Sequence, residues 1–340
     1  MFFGLIAFCK NSMAFYEKTS IYYKKQEKFF TFLGYPDSIF IDGEISQKTV
    51  NDFIELINLN KIDRATVYFN SQGGDLLAGI KIGKIIREYQ FNTSIGKINK
   101  TSTLGVKDGE CYSSCVFAFS GGKYRYMNDK DVIGVHRFYR EYSKKTDLEE
   151  AQVVSAVIIN FFREMEIDLS LFDRMALTSR NMVNIISKDE ALRLKLVNNG
   201  FLPTKWTLDS IDGSVYLRGY RETQYGEGKL IFICDSEKLS VIAMHSVAEH
   251  IGLSGQYSLD VDDEEYRIEG DLSTNNGFYI LSFKPNVEHL KQILVARNIG
   301  FKFLALNPAF YVGFDLEIGE SKKSVNDYIQ RCIKTSIRNL

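Results

Sequence analysis

Three short stretches of this 340-residue chain carry side chains suited to acyl transfer. Acyl transfer needs a nucleophile, a base within hydrogen-bond reach and N–H donors aimed at the developing oxyanion. The stretch "GECYSSCVFAFSGG" offers a serine, Ser113 or Ser114, at the mouth of a helix-like run, where unpaired backbone N–H groups favour negative charge. "VIGVHRF" ends a strand-like run at His136, from which a base can project toward a neighbouring helix start. "NSQGGD" sets Gly73 and Gly74 at a strand-to-helix turn, where glycine lets the backbone turn its N–H groups outward. Each piece also has a plain structural reading: a turn, an N-cap serine, a histidine closing a strand.

The elements that must position them alternate. "SIFIDGEIS" reads as strand and turn, and "SQKTVNDFIELINLNK" as a helix capped by Ser46. "RATVYFN" is a short β-branched and aromatic strand, and "DLLAGIKIGKIIREYQ" has helical apolar spacing. "TSIGKIN" reads as a strand and "KTSTLGVKDGE" as a polar loop. "CYSSCVFAFSGG" is read as a helix entry, residues 147–167 as a long amphipathic helix, and "SKDEALRLKLVNNG" as a shorter one ending at Gly200. Such alternation predicts an α/β domain over residues 36–204. Residues 1–35 form a lead-in. After "FLPTKW" the texture becomes strand-rich, so residues 205–340 are predicted to be a smaller β-rich α+β domain of open role. There "SVAEHIG" and "NVEHLKQILVARNIG" read as short helices, and Trp206 is expected to pack between the domains.

A net charge of −1 and the absence of a basic stripe argue against nucleic acid as a partner. No internal apolar stretch approaches the roughly 20 residues of a membrane span. "MFFGLIAFCKNSMAFYEK" holds a short apolar run followed by a small-residue site, so it reads as an export signal or an ordinary first element. Loss of Cys9 with such a signal leaves four cysteines, enough for two disulfides in an oxidising compartment. Cys111 and Cys115 lie four apart. On a helix that spacing is long for a disulfide, so bonded and unbonded states both stand. Scattered histidines fit no zinc site and no cofactor motif is present; His245, His250 and His289 read as surface or core residues.

Taken in order, "VYFNSQGGDLLAGIKIGKII" and "GECYSSCVFAFSGGKYRYMNDKDVIGVHR" resemble the glycine-turn and nucleophile-to-histidine segments of ClpP-like serine peptidases, in the ClpP/crotonase superfamily. The resemblance covers about residues 38–200. It is closest to a predicted periplasmic branch with a C-x-S-x-C nucleophile motif and an I-G-x-H-R segment, here "CYSSC" and "IGVHR". It implies a ββα superhelix and a serine hydrolase, most simply a peptidase, in the periplasm or secreted; the alternative is cytoplasmic. Ser113 would be the nucleophile and His136 the base, with the N–H groups of Gly74 (or Gly73) and Ser114 as the oxyanion hole. The family's orienting aspartate has no counterpart before Ile185, leaving Asn181 or Asn184 to hold the imidazole. The departure keeps a second reading open: a weak or inactive protein that binds a peptide or protein partner in its cleft. A crotonase-type acyl-CoA enzyme using Asp75 and Glu110 is a third. The resemblance also implies a homo-oligomer built on the helix over 147–167, whose apolar face holds Val153, Val154, Val157, Ile158, Phe161 and Phe162. That face serves either an oligomer or the core.

Overall fold

The strands "DSIFID" and "ATVYFN" are apolar on both faces, and both are buried almost throughout. Two-sided burial is the mark of a central parallel strand covered by crossover helices. The computed structural model describes residues 19–28, 31, 35–99, 105–139, 146–235, 238–246, 255–306 and 309–337. The apolar run at the start, "SVAEHIG" beyond Ser246 and His250 lie outside them. The chain divides into two compact units, residues 1–200 and 201–340.

In the first unit β1 (Ser20–Lys24) pairs antiparallel with β2 (Asp37–Asp42), so part of the expected lead-in is a strand. Then come α1 (Gln47–Asn60), β3 (Ala65–Asn70), α2 (Leu76–Glu88) and β4 (Asn92–Ile95). Ser46 caps α1 through a reciprocal capping box with Thr49, as its position suggests, and Asp75 caps α2 by accepting the Ala78 N–H at 2.7 Å. "TSIGKIN" is two strands: Gly96, at φ +154°, separates β4 from β5 (Lys97–Ile98), which pairs with β6 (Val106–Lys107) inside the expected loop.

Next follow β7 (Glu110–Tyr112), α3 (Ser114–Ser120), β8 (Arg125–Tyr126) and β9 (Val132–Val135). The unit closes with α4 (Asp147–Glu164), α5 (Ser170–Leu177), β10 (Asn184–Ile186) and α6 (Lys188–Arg193). The main sheet has the order β1-β2-β3-β4-β8, parallel from β2 onward, and a second sheet has the order β10-β9-β7. Helix α6 stops at Arg193, well short of Gly200, because Lys195 turns into the left-handed region at φ +55°. On α4, Ile158, Phe161 and Phe162 are core residues, whereas Val153 and Val157 are exposed.

The second unit starts with β11 (Lys205–Ile211), β12 (Ser214–Thr223), β13 (Gly226–Asp235) and β14 (Lys238–Ser246). It continues with β15 (Gly255–Val261), β16 (Glu264–Ile268), β17 (Asp271–Asn275) and β18 (Phe278–Phe283). α7 (Val287–Val295), β19 (Asn298–Leu306), β20 (Ala309–Glu317) and α8 (Lys322–Ile337) complete it. The strands form a six-stranded sheet, β11-β12-β13-β14-β18-β17, and a four-stranded one, β16-β15-β19-β20. Trp206 has partners inside the second unit. Its ring lies 6.2 Å from Phe232 and its indole N–H donates to Glu317 O at 2.9 Å. A disulfide joins Cys234 on β13 to Cys332 on α8.

Candidate functional site

The end of β3 leaves its sheet and bridges to β7. Ser71 N–H donates to Glu110 O at 2.7 Å and Tyr112 N–H donates to Ser71 O at 2.9 Å. This stitch lays the glycine turn directly against residues Tyr112 to Ser114. A Cβ built on Gly73 would stand 2.8 Å from Ser113 Cβ and 3.2 Å from Ser114 N. Gly73 and Gly74 have φ of +100° and +143°, and a Cβ on Gly74 would stand 2.2 Å from Ile45 O. Side chains fit at neither position.

The two glycine N–H groups differ. Gly73 N–H donates to Ser71 Oγ at 3.0 Å and is already engaged. Gly74 N–H finds no acceptor among the described residues, because the ladder to Ile45 uses Gly73 O and Asp75 N–H. Ser114 N–H, at the first position of α3, has no intrahelical partner.

Ser113 sits between β7 and α3 with φ +56° and ψ −122°. A residue with a Cβ holds that conformation at a cost of roughly 1–3 kcal/mol. Its N–H donates to Gly134 O at 3.0 Å and its carbonyl accepts from Val116 N–H at 3.1 Å. It occupies the N-cap position, yet its hydroxyl makes no capping bond. Ser113 is half-buried, whereas Ser114 is 2% exposed with its Oγ buried and unpartnered. An incoming group therefore meets Ser113 first.

Beneath the turn, α2 and α3 are in backbone contact. A Cβ on Gly79 would stand 2.3 Å from Ser114 O, and one on Gly83 would stand 2.5 Å from Phe117 O. Strands β7 and β9 run parallel, with Tyr112 opposite Gly134, so Ser113 and His136 both emerge at the same ends of adjacent strands. His136 lies one residue past β9 and is half-buried. Its Nδ1 lies 2.8 Å from Arg137 O. A carbonyl only accepts, so this bond puts a proton on Nδ1, and in the neutral imidazole the Nε2 lone pair is then the open one.

Asn184, on β10, is registered against Val135, one residue before the histidine, and Asn181 is exposed. Among the described residues neither side chain bonds the imidazole. Asp75 is used as the α2 cap, and Glu110 accepts from Gln72 Nε2.

Sequence reading missed several supports. Asp131 accepts Gly109 N–H at 3.0 Å and Asn128 N–H at 2.7 Å, fixing the approach to β7, and burial pushes its carboxyl above the ordinary range. Ser71 fixes the turn, and its place in "NSQGG" was the available signal. Cys111 and Cys115 are joined in a disulfide with Cα atoms 5.3 Å apart. The helical spacing did not apply, because Cys111 belongs to β7 and the chain reverses at Ser113. Among the described residues no group of three or more His, Cys, Asp or Glu could hold a metal ion, and no helix is long and apolar enough to cross a membrane.

No family model matches this chain, and no curated protein matches it. Among solved structures it is similar to a serine-to-alanine mutant of the membrane-bound stomatin-specific protease 1510-N. The identity is 14% and the TM-score 0.36, over 47% of this chain and 76% of that one. It is also similar to a mutant of ClpP1 from Listeria monocytogenes, at 20% identity and a TM-score of 0.38, over 47% of this chain and 88% of that one.

Proposed function

We propose that the first unit is a serine hydrolase, acting most simply on peptide bonds. Ser113 Oγ attacks the acyl carbon while His136 Nε2 takes its proton. Arg137 O holds the imidazole through Nδ1–H, the orienting work a carboxylate does elsewhere. The Gly74 and Ser114 N–H groups donate to the oxyanion, while Gly73 supplies the close approach instead of a donor. The observation that carries this reading is the glycine turn seated on a left-handed, half-buried Ser113, with a Gly74 N–H that finds no acceptor. A carbonyl fixes the tautomer but supplies no full negative charge to the imidazolium, so turnover is expected to be slow.

The proposal extends to the ClpP-like ββα arrangement for the first unit, with residues 205–340 as a separate accessory domain. Two disulfides fit an oxidising compartment, periplasmic or extracellular. Exposed Val153 and Val157 on α4 leave a face for self-association.

The test is labelling by a fluorophosphonate probe of the wild type, Ser113→Ala and Ser114→Ala. Labelling lost only in Ser113→Ala is expected. A folded wild type that takes no label, or a Ser113→Ala variant that keeps it, ends the hydrolase reading. Among the described residues no carboxylate bonds His136, and this favours one second reading, a cleft that binds a peptide without cleaving it. An unlabelled wild type would put that first.

A further inference from the structure

Among the described residues few bonds hold the reversal at Ser113, beside its packing against Gly73. Its backbone makes one hydrogen bond to β9 and one within its own turn, and its hydroxyl makes no cap bond. A further restraint is covalent, since the Cys111–Cys115 disulfide closes the five-residue loop around Ser113. An extended chain would separate those Cα atoms by about 13 Å. At 5.3 Å, the bridge forbids β7 from running on as a strand through residue 113. Both cysteines are fully buried. Cys111 also lies in the bridge to Ser71, so the same residue anchors the glycine turn.

We propose that the Cys111–Cys115 disulfide is a positioning element of the site. It keeps Ser113 in its left-handed backbone and so aims both the Ser113 hydroxyl and the Ser114 N–H. Its catalytic consequence rests on the hydrolase reading; its conformational consequence does not.

The experiment has two arms, both on the full chain. The first compares fluorophosphonate labelling rates of wild type, Cys111→Ala/Cys115→Ala, and Cys234→Ala/Cys332→Ala as the control in the other unit. The first pair of changes is expected to slow labelling about 10- to 100-fold, the cost of a small misplacement, with the near-UV spectrum kept. The control keeps the wild-type rate. The second arm places Ser113→Gly in the bridged and unbridged chains. It reads the unfolding midpoint of the first unit by pulsed hydrogen exchange on peptides from residues 65–88. With the bridge, glycine relieves the backbone and raises the midpoint by roughly 2–4 °C. Without it, the gain falls to half or less, because the turn has already relaxed.

An equal gain in both chains overturns the inference, as does an unchanged labelling rate per folded molecule. If no chain labels, the hydrolase reading fails alone and the second arm still decides whether the bridge holds Ser113. Should the double alanine variant not fold, wild type folded and kept under reductant replaces it in both arms.

Discussion

A methyl group at Gly74 would collide with Ile45 O, and that carbonyl is fixed because it accepts Asp75 N–H at 2.8 Å. Gly74→Ala must therefore move the turn. The expected result is at least about 100-fold slower probe labelling, on the scale of losing one oxyanion donor. The unfolding midpoint in denaturant should fall by the equivalent of about 2 kcal/mol or more. Ser71→Ala is milder in fold and informative in chemistry. It frees Gly73 N–H, and a kinetic profile that kept full activity would show that Ser71 is not needed to present Gly74. At this scale "NSQGG", "CYSSC" and "IGVHR" told which residues to watch. The resemblance carried by "CYSSC" chose Ser113 over Ser114, but nothing in residue type chose between the two glycines, because that choice depends on which N–H is already bonded. Nor could the motifs supply the histidine's partner. Arg137 contributes a backbone carbonyl, which has no signature in residue type.

Among the elements, the α2–α3 contact matters most for the site, since α2 follows the glycine turn and α3 follows Ser113. Gly83→Val would drive a side chain into Phe117 O and the Phe161 ring. It is expected to cost about 3 kcal/mol or more, measured by chemical denaturation, as overpacking without room to relax. Asp75→Ala removes one cap bond and should cost only about 1 kcal/mol in the same measurement. Elements with strong local signals were legible: α1 through its Ser46 cap, α2 through its helical period, β3 through its β-branched and aromatic run. α5 was missed because only Leu171 and Met175 of its eight residues are buried, too few to show a period. The end of α6 was misplaced because the reversal at Lys195 uses a residue with no turn preference. The partition of "TSIGKIN" at Gly96 depends on a pairing partner that lies in a loop-like sequence.

At the scale of the whole molecule, two cores are present and each has its own covalent tie. The Cys234–Cys332 bridge spans 98 residues, a separation at which cross-linking stabilises by about 2–5 kcal/mol. Replacing both with alanine should lower the second unit's midpoint accordingly, followed by the fluorescence of Trp206. The same probe reads pH. His245 is buried against Phe314 with its Nδ1 unpartnered, and burial holds its pKa below the ordinary 6.5. As pH falls below that value the unfolded chain takes up the proton first, so stability is full above it and declines toward the lower folded pKa. The second unit should be less stable at about pH 5.5 than at about pH 7.5, and His245→Phe should shrink that difference. A change from alternating to strand-rich texture near residue 205 could be read from the sequence alone. The order of strands in either half could not, because register and pairing over long separations leave little trace in one sequence.

Complete burial of both Cys111 and Cys115 has a consequence in time. Neither an oxidant nor a reductant reaches sulfur atoms enclosed on all sides, so the bond is made or missed while the chain is still open. The folded molecule then keeps a record of the surroundings in which it closed. Chains folded in reductant and later moved to air should stay as thiols for as long as the first unit remains shut. Alkylation after denaturation, read by mass, would count them.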